Sequence, residues 1–340
     1  MAAISSPPLA PSTMPGWRPE EINPSSLQSL FIKKFTEFVA EYQKRRQARK
    51  LEDLKSGPWY ASDYALGCKK WGQFKHLKFL IKKNALYHGL PPEGFDPLPD
   101  PSNVTGIEFW SYQIQKEILP TEGLKSIRRG RFSFIDCQGA IEVALYETIH
   151  EIFGTLRFNE IFSGTGEYPL RIHLDWTQTP LYFLGIITQK TLDPTHLQLE
   201  TGDQVNFPNL PFYQYKHEQG EFGGLNVICI SPSDAVEKQY IGFGTSSEGQ
   251  TADQISDLLL AAFNEAPIDP SLILSKELDA HFQKVDQLTL TNSIEHARFQ
   301  GITVEKAVFQ KIIREITKSD SGYIPFCNRF RIKQIYKLMS

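Results

Sequence analysis

Residues 129 to 153, RGRFSFIDCQGAIEVALYETIHEIF, constrain the fold more than any other stretch of this chain. A strand-like Phe132 to Ile135 runs into Asp136 and Cys137, after which Ile141, Ala144, Leu145, Ile149 and Ile152 recur at intervals of three and four. That spacing is the period of a helix with an apolar face, so a helix begins at or next to Cys137. A helix start carries N–H groups without intrahelical partners and the positive end of the aligned peptide dipoles, a setting that favours a thiolate. Cys137 is therefore a candidate nucleophile. The competing reading is a buried structural cysteine beside an Asp136 that caps the helix.

The flanking sequence predicts an α+β chain. Leu30, Phe31, Phe35, Phe38, Val39 and Tyr42 give helical spacing between residues 29 and 54, and Trp71, Phe74, Leu77, Leu80 and Ile81 do so between 64 and 87. Residues 1–26, rich in Pro, Ser and Ala, read as a disordered tail, and 27–90 as a helical N-terminal region. Five prolines between Pro91 and Pro101 predict a loop that excludes a helix or central strand and marks a boundary. Beyond it, runs at 170–174, 180–188, 204–207, 225–230 and 238–243 read as strands of an antiparallel or mixed sheet. Helical patterning returns at 251–265, 272–287 and 304–318, the last two within a C-terminal extension over 266–340.

Charge and cysteine usage exclude several classes. With 36 Lys and Arg against 39 Asp and Glu, the net charge is −3, so the basic run KRRQARK at 44–50 reads as a solvated helix face and no nucleic-acid partner is expected. No stretch approaches 18 uninterrupted apolar residues and the N-terminus lacks the pattern of a secretory signal, so neither membrane insertion nor export is expected. Cys68, Cys137, Cys229 and Cys327 lie far apart with no CxxC pair, which points to a reducing, cytoplasmic compartment and no zinc site. Cys68, Cys229 and Cys327 default to packing. Gly242-Phe243-Gly244 lacks the following helix of a dinucleotide loop. His150 lies 13 residues past Cys137, about 20 Å along a helix, too far to act on the thiol. His173 reads as a core histidine or an orienting group, Asp175 as a turn residue, Trp176 as a packing anchor, and Asp203 as a turn residue bonding backbone N–H groups.

Several short motifs then occur in order: GRFSFIDCQGAI, RFNEIF, HLDWTQTPL, GDQVNFPNLPF, GLNVICI and IGFG. Together, over residues 103–265, they resemble the small bacterial transglutaminase associated with spore coats in bacilli, a protein-glutamine gamma-glutamyltransferase. The resemblance implies a papain-like, NlpC-type core in which the nucleophile, at a helix N-terminus, packs on an antiparallel sheet. It implies Cys137 as nucleophile with Asp136 beside it, a thioester formed on a protein glutamine and resolved by a protein lysine, and no metal or organic cofactor. First-turn N–H groups such as those of Gln138 and Gly139 would serve the oxyanion. It also implies spore-coat association if the host makes spores. Where the family has a glutamate before Asn-Val and a histidine before Gly-x-Gly, this chain has Leu225 and Ile241. Neither can transfer a proton. Glu221 or His217, in the longer loop HEQGEFGG, can fill the gap, although that loop is polar enough to be simply solvated. Two alternatives follow: a catalytically lost relative acting as a binding module, and a cysteine amidohydrolase in which water resolves the thioester.

Overall fold

The computed structural model describes residues 24–46, 59–60, 94–99, 107–129, 134–135, 137–173, 175–192, 198–211, 213–217, 222–265, 302–324 and 326–331. The helices expected over 64–87 and 272–287, the basic run past residue 46 and Cys68 lie outside them. The described helices are α1 (Pro24–Arg46), α2 (Pro120–Arg129), α3 (Cys137–Ile161), α4 (Pro180–Phe183), α5 (Tyr213–Lys216), α6 (Ala252–Asn264) and α7 (Lys306–Thr317). Helix α1 starts at Pro24, just inside the stretch expected as a tail. No helix among the described residues is long and apolar enough to cross a membrane.

Helix α1 turns Leu27, Phe31, Phe35, Phe38 and Val39 inward at intervals of three, four and one, and this stripe packs along α3. Charged pairs seal the seam. Lys34 meets Glu151 at 2.6 Å, and Arg128 of α2 bridges Glu41 at 2.9 Å and Glu147 at 2.7 Å while its guanidinium lies 3.5 Å from the centre of the Phe38 ring. Along α3 the apolar residues wrap so much of the surface that Ala140 to Tyr146 are all buried. The helix breaks at Gly154, whose φ of 73° and ψ of 168° are open essentially to glycine alone.

A five-stranded sheet contains β6 (Ile187–Thr191), β10 (Phe326–Phe330), β7 (Gln204–Pro208), β8 (Gly224–Cys229) and β9 (Tyr240–Gly242) in that spatial order, every pairing antiparallel. Strand β10 thus slots between β6 and β7 from far along the chain. A three-stranded sheet orders β2 (Phe95–Pro99), β3 (Ile107–Ile114) and β5 (Arg171–Ile172), and the two-residue strands β1 (Trp59–Tyr60) and β4 (Phe134–Ile135) pair in parallel. The architecture is a mixture of helices and antiparallel sheet, as the sequence texture implies.

Period-two alternation assigns the two faces of the large sheet. Ile228 and Ile241 join Phe243, α1 and α3 in one apolar cluster. Val205, Phe207, Leu225, Val227, Cys229 and Cys327 face the other way, into a second cluster with Ile255, Leu259 and Phe263 of α6 and Phe309 and Ile313 of α7.

Three expectations change. The C-terminal segment expected as a helical extension over 266–340 is not helical throughout, because Phe326–Phe330 form β10 inside the large sheet. The proline-rich segment is not loop throughout, because β2 carries Pro97 and Pro99 on the sheet edge, where a missing N–H costs nothing to a neighbour, and its register slips between them. The run 180–188 is not one strand either. Thr179 accepts a hydrogen bond from the Tyr182 amide and Pro180 supplies a preset φ, so the chain first makes the short α4, turns at Gly185 with φ of 70°, and enters β6 only at Ile187.

Candidate active site

Strand β4 delivers the chain to Cys137, the first residue of α3, where the thiol is partly exposed. The helix lies against the sheet face that carries Asn226, and Asn226 Nδ2 donates to the Cys137 sulfur at 3.3 Å. Asn226 is itself held. Its Oδ1 accepts from Gln204 Nε2 at 2.8 Å and from Asn206 Nδ2 at 3.1 Å, and Gln204 Oε1 accepts from Asn328 Nδ2. The cross-strand registers Asn206 with Asn226 and Gln204 with Asn328 bring these amides together on one face of β7, β8 and β10. The sequence reading missed all four. The available signal was an amide at alternate positions of otherwise apolar strands, Gln204-Val205-Asn206 and Leu225-Asn226-Val227.

A second polar group lies under the start of α3. Glu142 is fully buried, its Oε2 accepting from the His173 amide at 2.8 Å, while Gln138 Nε2 donates to the His173 carbonyl at 2.8 Å. The His173 ring is buried too, and its Nδ1 accepts from the Asp175 amide at 3.0 Å. Together these bonds pin the turn after β5 to the first turns of α3. Burial, reinforced by the Glu142 charge, pushes the Tyr146 phenol well above its ordinary range.

Of the residues expected to act with Cys137, Asp136 and Glu221 lie outside the described residues. His217 is buried among residues of the second cluster. Its ring stacks on Tyr213 with centroids 4.8 Å apart, and Nε2 lies 2.9 Å from the Phe263 carbonyl. Leu225 also packs into that cluster, on the face of β8 opposite Asn226, whereas Ile241 pairs with Ile228 on the Cys137 side. Asp175 closes its turn by accepting from the Thr177 amide and hydroxyl at 2.9 and 2.8 Å, and Trp176 packs against Phe330. Asp203 accepts from the Glu200 amide at 2.9 Å and pairs with Arg329. Cys229 and Cys327 are buried, which raises both thiols, Cys327 to about 12. Among the described residues no group of three or more His, Cys, Asp or Glu side chains could hold a metal ion.

No family model matches the chain, and no curated protein does. Among solved structures, a transglutaminase from Geobacillus stearothermophilus without its C-terminal extension aligns over 93% of this chain and 97% of its own, at 15% identity and a TM-score of 0.39. A likeness of that size establishes neither a shared fold nor a shared activity.

Proposed function

We propose that this chain is a protein-glutamine gamma-glutamyltransferase with a papain-like, NlpC-type core, in which Cys137 is the nucleophile. The observation that carries the reading is the sulfur itself, which is partly exposed, sits at the first residue of α3 and receives an amide N–H from Asn226 at 3.3 Å. The thiolate attacks the side-chain carboxamide carbon of a protein glutamine. The negative charge that develops on oxygen faces the positive end of the α3 dipole. As the C–N bond breaks, ammonia leaves with a proton and a thioester remains. A lysine amine of a second protein attacks the thioester, the isopeptide bond forms, and the sulfur departs as thiolate. Proton transfer falls to Asp136, next to the sulfur in the chain, or to Glu221. His217, set between Tyr213 and the Phe263 carbonyl, takes a structural part. The partners are protein substrates, a cytoplasmic setting fits the free thiols, and in a sporulating host the coat is the expected site.

The test is incorporation of an amine probe into a glutamine-donor protein by the full chain. Expected are incorporation by the wild type, none by Cys137→Ala, and a strong loss in whichever of Asp136→Asn and Glu221→Gln removes the proton carrier. Incorporation that survives Cys137→Ala refutes the proposal. One observation favours the inactive alternative: Leu225 and Ile241 are buried in the two apolar clusters and offer no proton. A wild type that neither incorporates amine nor releases ammonia establishes it, and ammonia release without incorporation identifies an amidohydrolase.

A further inference from the structure

We infer that Asn328, Gln204, Asn206 and Asn226 form a one-way chain of hydrogen bonds that holds the Cys137 sulfur as an acceptor, with Asn226 a catalytic residue and Asn328 of β10 a remote positioning residue. The inference rests on Cys137 being the nucleophile. A primary amide has an accepting end and a donating end. In Asn226 the accepting end is taken by two donors, Gln204 Nε2 and Asn206 Nδ2, which leaves the donating end for the sulfur at 3.3 Å. Gln204 in turn is oriented by Asn328, whose Nδ2 donates to Gln204 Oε1. Each amide fixes the direction of the next, and the chain ends by presenting N–H to sulfur.

A thiolate accepts that bond far better than a thiol does. A thiol donating its S–H toward Asn226 would require these amides to turn together. The protonation of one sulfur is therefore coupled to an asparagine two strands away. On this face β7, β8 and β10 contribute neutral amides, while Arg329 points to Asp203 and Glu200 on the other side. Among the described residues, the titratable groups hydrogen-bonded at the start of α3 are Glu142 on α3 and His173 after β5, and Asp136 precedes the sulfur in the chain. Helix α1 brings Lys34 to α3 at Glu151, well beyond the sulfur, and Glu41 approaches α3 only through the Arg128 pair with Glu147.

The experiment is the rate of iodoacetamide alkylation at Cys137 in the full chain, followed by peptide mass spectrometry between about pH 5 and 10. For Asn226→Ala the expected result is a midpoint moved upward and a rate near neutral pH lowered about tenfold, the usual size of one hydrogen bond to a charged group. For Asn226→Asp, whose carboxylate only accepts, the upward shift is larger. For Asn328→Ala the midpoint also moves upward, by about threefold in rate, and Asn328→Asp exceeds it. A removed contact that served packing alone lowers the melting temperature and leaves the pH profile in place. Wild-type midpoints in Asn226→Ala and Asn328→Ala overturn the inference, and a shift in the first without one in the second overturns the chain. Should Asn226→Ala fail to fold by circular dichroism, Asn226→Ser and Asn328→Ala decide the matter. Alkylation needs no glutamine or amine, so a chain that shows these shifts without transferase activity refutes the proposed function and the catalytic part of Asn226, and leaves standing only the hydrogen-bond chain that orients Asn226 toward the sulfur.

Discussion

Replacing Arg329 by methionine tests what locks β10 into the middle of the sheet. Arg329 Nε meets Asp203 Oδ1 at 2.8 Å and Nη2 meets Oδ2 at 2.6 Å, a two-point pairing, while Nη1 reaches Glu200 Oε1 at 2.6 Å. The Asp203 side chain is 2% exposed, so methionine leaves a nearly sealed carboxylate held by the Glu200 amide at 2.9 Å. Stripping one partner from a buried pair costs about 3 to 5 kcal/mol. Arg329 is 19% exposed and Glu200 is open to water, which places this case at the lower end, about 3 kcal/mol. With ~2.1 cal/mol/K of unfolding entropy per residue, 340 residues carry ~0.7 kcal/mol/K, and the melting temperature falls by about 4 °C. Calorimetry on Arg329→Met, Asp203→Asn and the double variant measures it. The two single losses are expected to overlap, so that the double variant loses about 2 kcal/mol less than their sum. A fall of less than about 1 °C, or simple additivity, would mean that the pair contributes no more than one at the surface and that β10 is held by its backbone ladder alone.

Two further outcomes follow from backbone and burial. Gly154→Ala places a side chain at φ 73° and ψ 168°, and denaturant titration is expected to show a loss of about 2 kcal/mol with the slope unchanged. For Cys327, the folded thiol at about 12 lies above the ordinary value of 9.0, so the folded state keeps a proton that the unfolded chain releases. Its stabilising contribution is whole below about pH 9 and declines as pH climbs toward 12, by about 1.4 kcal/mol per unit. Relative to Cys327→Ala, the wild type should lose stability over that window, and parallel stability curves for the two proteins would refute the assignment.

The start of α3 was legible because two independent signals coincide there, a strand-like run ending at Ile135 and an apolar period of three and four beginning past Cys137. Strands β7, β8 and β9 were legible from β-branched and aromatic runs, and α6 from its apolar spacing. The placement of β10 was not. Its pairing with β6 and β7 depends on contacts far apart in the chain, and no local pattern distinguishes a central strand from an edge. The amides of the candidate site escaped for a related reason. Asn226 sits beside Leu225, the position to which an ungapped match directs attention, and only the pleat shows that adjacent residues face opposite sides. Pro180 misled because a proline in an apolar run reads as an edge strand or a helix start until its Thr179 cap is seen.

Strand β10 has a consequence for biosynthesis. It is the latest in chain order of the described strands, yet two earlier ones flank it, so β6 and β7 emerge from the ribosome with facing edges that nothing yet joins. At about 5 to 20 residues per second, the interval between β7 and β10 exposes that gap for many seconds. The nascent chain therefore cannot present Asn328 to Gln204 until translation has passed that strand, and the thiol gains the part of its reactivity that depends on the link only then.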